Sequence, residues 1–351
     1  MAPVVLALRQ NAAIDSILIA TGQHGTLFDE ALAPFGLSPD HRLDAGFAGL
    51  EPEAMAKAIE AALRPHLAGV RPALALVQGD TTSALGAARA AAAEGIPVGH
   101  VEAGLRSHDL ERPWPEESNR IAIDRIAALL FAPTEGNIAN LAADPAVTGQ
   151  AHLTGNSGID ALLHVHSPSE RPTPEDRNKS LLITLHRRET IGEPLRRICR
   201  MLRQLADRGD LSIVLPLHPN PDVRSIIESL LGEHPAITLA EPFSYRDMIA
   251  RMATADLILS DSGGVQEEAP ALGVPLLILR DVTERPETVT CGSALLSGTD
   301  PEAIRGDVTR ILDDDAMRAR MAVPRFPYGR GNAAKKIVAA IENYLESQNV
   351  T

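Results

Sequence analysis

Two cysteines in 351 residues, Cys199 and Cys291, build no disulfide framework and match no metal-binding spacing, which fits a chain kept in a reducing cytoplasm. Aromatic residues make up only 3%, with a single tryptophan, Trp114, so the 44% of apolar residues must form a core mainly from Ala, Leu, Ile and Val. Positive charge is short as well. The formal net charge of −13 leaves no basic surface for a phosphate backbone, which argues against nucleic acid and against an anionic membrane surface, while a locally basic pocket for one anionic metabolite stays compatible. No apolar run reaches membrane length and no signal peptide opens the chain. No paired cysteines, His-x-x-x-His or Asp-rich Mg loop is visible, so no bound metal is expected. The G-x-G-x-x-G fingerprint is absent too, which speaks against a tightly held NAD.

What is present centres on the stretch from Asp256 to Glu287. Leu257 to Leu259 has strand length and breaks at Ser260-Asp261-Ser262-Gly263-Gly264; a helix-period segment follows from Val265 to Leu272, and Gly273 leads into a second strand from Pro275 to Leu279. The loop offers the backbone N–H groups of Ser262, Gly263 and Gly264 at a helix N-terminus, where free donors and the helix dipole favour an anion such as phosphate. Gln266, Glu267 and Glu268 lie one turn on, suited to hydroxyls such as those of a ribose. The plainer alternative is a glycine turn followed by a solvated acidic helix face.

The length predicts two domains. After an opening helix over Met1 to Arg9, strands are expected at Ser16 to Ala20, Ala73 to Gln78, Pro97 to Glu102, Ala128 to Ala132 and Ala151 to Thr154, separated by helical stretches. A Pro-, Ser- and charge-rich segment from Ser167 to Lys179 reads as a linker with its exit loop. Strands then recur near Ser180 to Leu185, Leu211 to Leu217, Ala236 to Leu239, Asp256 to Ser260, Pro275 to Leu279 and Ala294 to Ser297. The fold class is therefore α/β, with two doubly wound domains over residues 1–156 and 157–331 and a last helix from 332 to 351 returning to the first.

Ligands of parallel sheets bind outside the carboxyl ends of the strands, and polar residues crowd those ends here. Gln78-Gly79-Asp80-Thr81-Thr82, Glu102-Ala103-Gly104-Leu105-Arg106 and Arg112-Pro113-Trp114-Pro115-Glu116-Glu117 bring three carboxylates, Asp80, Glu102 and Glu116, to one edge. Singly, Asp80 could be a helix N-cap and Glu116 a helix-dipole residue; together they suit general acid–base chemistry. In the second half, His186-Arg187-Arg188 after a strand reads as a diphosphate clamp, and His218 follows another.

The segments QGDTT, HVEAGLRS, RPWPEESNR, TLHRRET, LHPNP, SDSGGVQEEAP and RDVTERPE, in this order, resemble the non-hydrolysing bacterial UDP-N-acetylglucosamine 2-epimerases. The resemblance implies a GT-B architecture, two Rossmann-like domains facing each other across a cleft, usually as a cytoplasmic homodimer without cofactor. It implies inversion of carbon 2 of UDP-GlcNAc to give UDP-ManNAc, by elimination of UDP and its re-addition to a 2-acetamidoglucal. By the same resemblance Asp80, Glu102 and Glu116 handle protons and His186 and Arg187 face the departing phosphate. Ser262, Gly263 and Gly264 cradle the diphosphate, Glu268 holds the ribose, Arg285 lies near phosphate or sugar, and Phe243 lies near the uracil. Gln23, Arg106, Arg120 and His218 complete the substrate-binding set.

Two departures stand out. Family members normally begin with a strand and a Gly-Thr-Arg-Pro-Glu loop, so the first domain here is expected to lack its N-terminal, central strand. At Gln23-His24-Gly25-Thr26 the longer side chain that follows the His in substrate-activated members is replaced, which puts that activation in doubt. The rivals are a UDP-sugar glycosyltransferase, a non-catalytic UDP-sugar-binding protein and an epimerase that releases free ManNAc and UDP.

Overall fold

The computed structural model describes residues 1–22, 26–43, 47, 49–166, 178–185, 192–217 and 220–349. In chain order these form α1 (Ala2–Arg9), β1 (Ile19–Ala20), α2 (Thr26–Leu32), β2 (His41–Arg42), α3 (Pro52–Val70), β3 (Ala75–Gln78), α4 (Thr82–Ala93), β4 (Val98–Val101), α5 (Glu116–Ile126), β5 (Leu129–Ala132), α6 (Glu135–Ala143), β6 (Gln150–Leu153) and α7 (Ser157–Val165). They continue as β7 (Lys179–Thr184), α8 (Glu193–Ala206), β8 (Leu211–Pro216), α9 (Pro221–Leu231), β9 (Ile237–Ala240), α10 (Tyr245–Thr254), β10 (Leu257–Ser260), α11 (Gly263–Leu272), β11 (Leu276–Ile278), α12 (Pro286–Thr290), β12 (Ala294–Leu296), α13 (Pro301–Asp313), α14 (Asp315–Met321) and α15 (Ala333–Asn349). Two compact units result, Met1–His164 with Tyr328–Thr351, and Val165–Pro327.

In the first unit β3-β4-β5-β6 form one sheet and β1-β2 a separate pair, all parallel. Every residue of β4 and β5 is buried, as strands covered on both faces require. Leu130 belongs to the core made with α3 and α4, through Leu63, Leu67, Ala84, Leu85 and Ala88, whereas its neighbours Leu129 and Phe131 belong to the core made with α1 and α15, through Val4, Leu8, Ile337 and Ile341. The scarcity of aromatic residues shows in how close the helices come. A Cβ at Gly86 of α4 would sit 2.7 Å from the Ala56 carbonyl oxygen of α3, so the Ala-rich helix lies backbone to backbone on its neighbour.

The sequence boundary at 156 falls short, because α7 is tied into the first unit. His164 stacks on Phe35 at 5.1 Å, and Asp160 accepts the Ala333 and Ala334 amides at 3.1 and 3.0 Å, capping α15. Burial raises the Asp160 carboxyl above its ordinary range. Strand β2 is absent from the sequence expectations, since two exposed residues carry no periodic signal. Only Ile19–Ala20 of the predicted strand from Ser16 to Ala20 is paired, and only on its β2 side among the described residues.

The second unit carries one parallel sheet in the order β12-β11-β10-β7-β8-β9. The order reverses between β7 and β10, the switch point where ligands of such sheets bind. Among the described residues no helix is long and apolar enough to cross a membrane.

Candidate functional site

In the first unit the polar residues gather where β3 and β4 end. Beyond β4, Glu102 adopts φ +72°, a left-handed backbone that strains a residue with a Cβ and that clusters at functional sites. This turn sends its carboxylate back toward β3: Oε2 lies 3.5 Å from Gln78 Nε2 and 3.4 Å from where a Cβ at Gly79 would stand. Gly79, itself at φ +66°, gives Asp80 its direction. Asp80 is no helix cap, because the Thr81 hydroxyl accepts the Ala84 amide at 3.1 Å and caps α4. The Asp80 carboxylate instead forms an ion pair with Arg120, whose Nε donates at 3.1 Å, and Asn119 Nδ2 donates to the Asp80 carbonyl at 2.9 Å. Glu116 opens α5, and its Oε2 is buried with no hydrogen-bond partner. A buried carboxylate oxygen without a donor is costly in an isolated protein and useful where a substrate supplies the donor.

The two arginines of this edge, expected among the substrate contacts, are both held by carboxylates of the first unit. Arg106 is buried, with Nη1 2.7 Å from Asp124 and 2.8 Å from the Leu105 carbonyl, so its charge is held inside the unit. Arg120, 2% exposed, divides its guanidinium between Asp80 and Glu117, the latter at 2.8 Å, and so orients the Asp80 carboxylate. Glu117 also accepts the Ser107 and His108 amides at 3.0 and 3.1 Å and so shapes the loop before α5.

Beneath lies a network that spacing alone does not reveal. His100 in β4 is fully buried; Nδ1 lies 2.6 Å from Asp124 and Nε2 lies 2.9 Å from the carbonyl of Gly79, next to Asp80. The signal available was a histidine in an apolar parallel strand, which must find a partner when buried.

In the second unit, β7 and β10 end side by side, and the Thr184 and Ser260 hydroxyls are 2.6 Å apart. The Ser260 hydroxyl also accepts the Ser262 amide at 3.0 Å, so the anion cradle predicted from three amides is reduced by one. Gly263 and Gly264 remain as the opening residues of α11, which no side chain caps. Gly263 has a further reason to lack a side chain: its Cβ would stand 2.8 Å from Nη1 of Arg285. Arg285 is buried, donates from Nε to Glu267 at 2.6 Å and pairs with Glu284, which in turn accepts from Arg280 at 2.9 Å. Its guanidinium thus lies against the glycine loop with its orientation set by two carboxylates. Glu268 accepts the Tyr245 hydroxyl at 2.8 Å, and burial pushes its carboxyl up to about 7. Phe243 lies under Arg251, whose guanidinium carbon is 4.4 Å from the ring centroid. His186, Arg187, His218 and Gln23 lie outside the described residues. Among the described residues no cluster of three His, Cys, Asp or Glu could hold a metal.

The family described as UDP-N-acetylglucosamine 2-epimerase matches residues 6–342. UDP-N-acetylglucosamine 2-epimerase of Escherichia coli K12 is 40% identical over 356 residues, covering 98% of this chain and 95% of the relative. The crystal structure of UDP-GlcNAc 2-epimerase from Neisseria meningitidis bound to UDP-GlcNAc superposes with a TM-score of 0.91 at 38% identity, covering 98% of this chain and 96% of that one. The calicheamicin glycosyltransferase CalG4, at 16% identity and a TM-score of 0.61 over 98% of this chain and 94% of that one, shares the fold alone. With a family match over nearly its whole length and relatives near 40% identity, the chain belongs to the UDP-N-acetylglucosamine 2-epimerase family.

Proposed function

We propose that the chain interconverts UDP-GlcNAc and UDP-ManNAc by eliminating and re-adding UDP, with the first unit handling the proton and the second holding the nucleotide. As a member of the family the chain is an epimerase, an isomerase acting on a nucleotide sugar. The observation that carries the mechanism is the Glu102 carboxylate turned by a left-handed backbone onto the Gly79-Asp80 corner. The C2 proton of the sugar is barely acidic, so its removal must be coupled to loss of a good leaving group. One carboxylate takes the proton, the C2–H electron pair becomes the C1=C2 double bond of 2-acetamidoglucal, and the C1–O pair departs with the β-phosphate oxygen. UDP then re-adds at C1 while a second acid delivers a proton to the opposite face of C2. Asp80, Glu102 and Glu116 supply these groups, with Arg120 holding the Asp80 carboxylate in place.

In the second unit the amides of Gly263 and Gly264 and the guanidinium of Arg285 receive the diphosphate, Glu268 the ribose hydroxyls, and Phe243 the uracil side. His186 and Arg187 complete the diphosphate clamp by the order of motifs. A homodimer and a cytoplasmic location go with this proposal. Incubation of the enzyme with UDP-GlcNAc in D2O tests it: deuterium is expected at carbon 2 of both sugars. UDP released only with an acceptor, free ManNAc, or no exchange at all would point instead to the transferase, the hydrolysing enzyme or the binder.

Glu268 gives a second, pH-linked check. Its carboxyl is held up near 7 by burial, so much of it is protonated at pH 6.5 in the free protein. Ribose hydroxyls donating to it favour the charged form and lower that value, so UDP binding at pH 6.5 is expected to release a fraction of a proton. Calorimetry in buffers of different ionisation enthalpy measures it. Glu268→Gln should abolish the release; equal release in the variant would remove Glu268 from the ribose site.

A further inference from the structure

The three carboxylates assigned to the proton stand on three separate segments: Asp80 in the turn after β3, Glu102 in the turn after β4, and Glu116 at the start of α5. Proton transfer at one carbon needs such groups held to within about 0.5 Å of their working places, and turns alone do not hold that. What ties them together lies inside the first unit. Asp124, in the last turn of α5, is fully buried and uses both of its oxygens. Oδ1 lies 2.6 Å from Nδ1 of His100 in β4, while Oδ2 accepts the Gly104 amide at 3.3 Å and lies 2.7 Å from Nη1 of Arg106. Glu102 stands midway between the first two, two residues after His100 and two before Gly104. One carboxylate therefore grips the chain on both sides of the residue with the left-handed backbone, and a strained conformation persists where its surroundings over-determine it.

His100 carries the hold on to the third segment. Its Nε2 lies 2.9 Å from the Gly79 carbonyl, which can only accept, so Nε2 is the donor and Nδ1 is left to face the carboxylate. Gly79 immediately precedes Asp80, and its turn is also the one against which Glu102 Oε2 rests, 3.4 Å from where a Cβ would stand. From the same helix α5, Asn119 donates to the Asp80 carbonyl and Arg120 pairs with the Asp80 carboxylate. The chain carboxylate–imidazole–carbonyl thus crosses from α5 through β4 to the turn after β3. Both side chains are buried away from water, where hydrogen bonds are stronger and a misplaced polar group is costly, so the chain has little freedom to shift.

We propose that Asp124 and His100 are positioning residues of the reaction. Through the Gly104 amide and the Gly79 carbonyl they set where Glu102 and Asp80 stand relative to Glu116, and they act on the sugar only through those backbone groups. The inference rests on the reading of Asp80, Glu102 and Glu116 as the proton-handling groups.

Two replacements of His100 take the chain apart at different links. In His100→Gln the amide nitrogen reaches the place of Nε2 and still donates to Gly79; in His100→Asn it takes the place of Nδ1, still meets Asp124, and leaves the Gly79 carbonyl unheld. Each keeps one of the two buried hydrogen bonds, so their melting temperatures should fall alike. Their rates should not: His100→Asn is expected to lose about 10²-fold in kcat, as a displaced catalytic group does, and His100→Gln to stay within about tenfold of wild type. KM and UDP affinity should stay within about twofold in both. Asp124→Asn can satisfy the same partners, its NH2 facing Nδ1 and its carbonyl accepting from Gly104, so kcat should again stay within about tenfold although Arg106 loses a charged partner and the melting temperature falls. Equal rate losses in the two His100 variants, losses that follow melting temperature across all three, or an Asp124→Asn loss as large as that of His100→Asn would overturn the inference. Glu102→Gln, measured alongside by deuterium exchange at carbon 2, separates this from a failure of the site itself: unchanged exchange there would sink the acid–base reading and the positioning role with it, whereas lost exchange there with equal His100 variants would sink the positioning role alone.

Discussion

Replacing Glu102 by Gln is expected to lower kcat by about 10²- to 10⁴-fold, the usual contribution of a positioned proton-transfer group, while UDP affinity stays within about twofold. Gln has the same shape and keeps the left-handed backbone at this position occupied by a residue of equal bulk, so the change removes only the ability to take or give a proton. UDP binding, assigned to the second unit, has no reason to change. Asp80→Asn should cost activity of similar size and also lower the melting temperature, because Arg120, 2% exposed, loses a charged partner. The two variants therefore separate in stability although they agree in rate. Deuterium exchange at C2 and turnover should fall together in Glu102→Gln; a variant that keeps a tenth of wild-type turnover, or that loses UDP affinity in step with rate, would take Glu102 out of the proton-transfer role.

Much of this was legible before any coordinates, and the physical reasons differ from place to place. Strands β4, β5, β10 and β11 are short apolar runs bounded by turn residues, because an inner parallel strand is buried on both faces and its composition says so. Asp80 and Glu102 stand at strand ends, where Asp80 alone reads equally as a helix cap and only the grouping of carboxylates points to acid–base chemistry. The sequence could not say what neutralises them. The pairing of Arg120 with Asp80, of Arg106 with Asp124 and of Arg285 with Glu267 and Glu284 joins residues up to 40 positions apart, and charge type alone does not choose among several candidate partners. Hence Arg106 and Arg120 are expected among the substrate contacts, and the carboxylates that hold them in place are not legible in the sequence. The Ser262 amide is taken up internally for a related reason. The competing acceptor, the Ser260 hydroxyl, is oriented by Thr184 on a strand 76 residues away, and nothing in the loop itself reports it.

Arg285→Ala should destabilise the second unit by about 3–5 kcal/mol, the usual penalty for removing one partner from a buried ion pair, since Glu267 and Glu284 are 3% and 1% exposed and each loses a charged partner. For a unit of this size that corresponds to a fall in melting temperature of roughly 10 °C. Two further variants tell stability apart from ligand contact. Arg285→Met with Glu267→Gln removes the charge from both ends of one pair and should recover part of the melting temperature, because replacing a buried pair is far less costly than orphaning one member. UDP affinity should not recover with it if the guanidinium beside Gly263 meets the diphosphate. Gly263→Ala pushes from the other direction: its Cβ would stand 2.8 Å from Arg285 Nη1, so the arginine must shift, and UDP affinity should fall at least tenfold with a much smaller thermal effect. Thermal unfolding and UDP titration of the three variants decide it. Restored UDP binding in the double variant would leave Arg285 as a structural support of the loop and assign the diphosphate to the α11 amides alone.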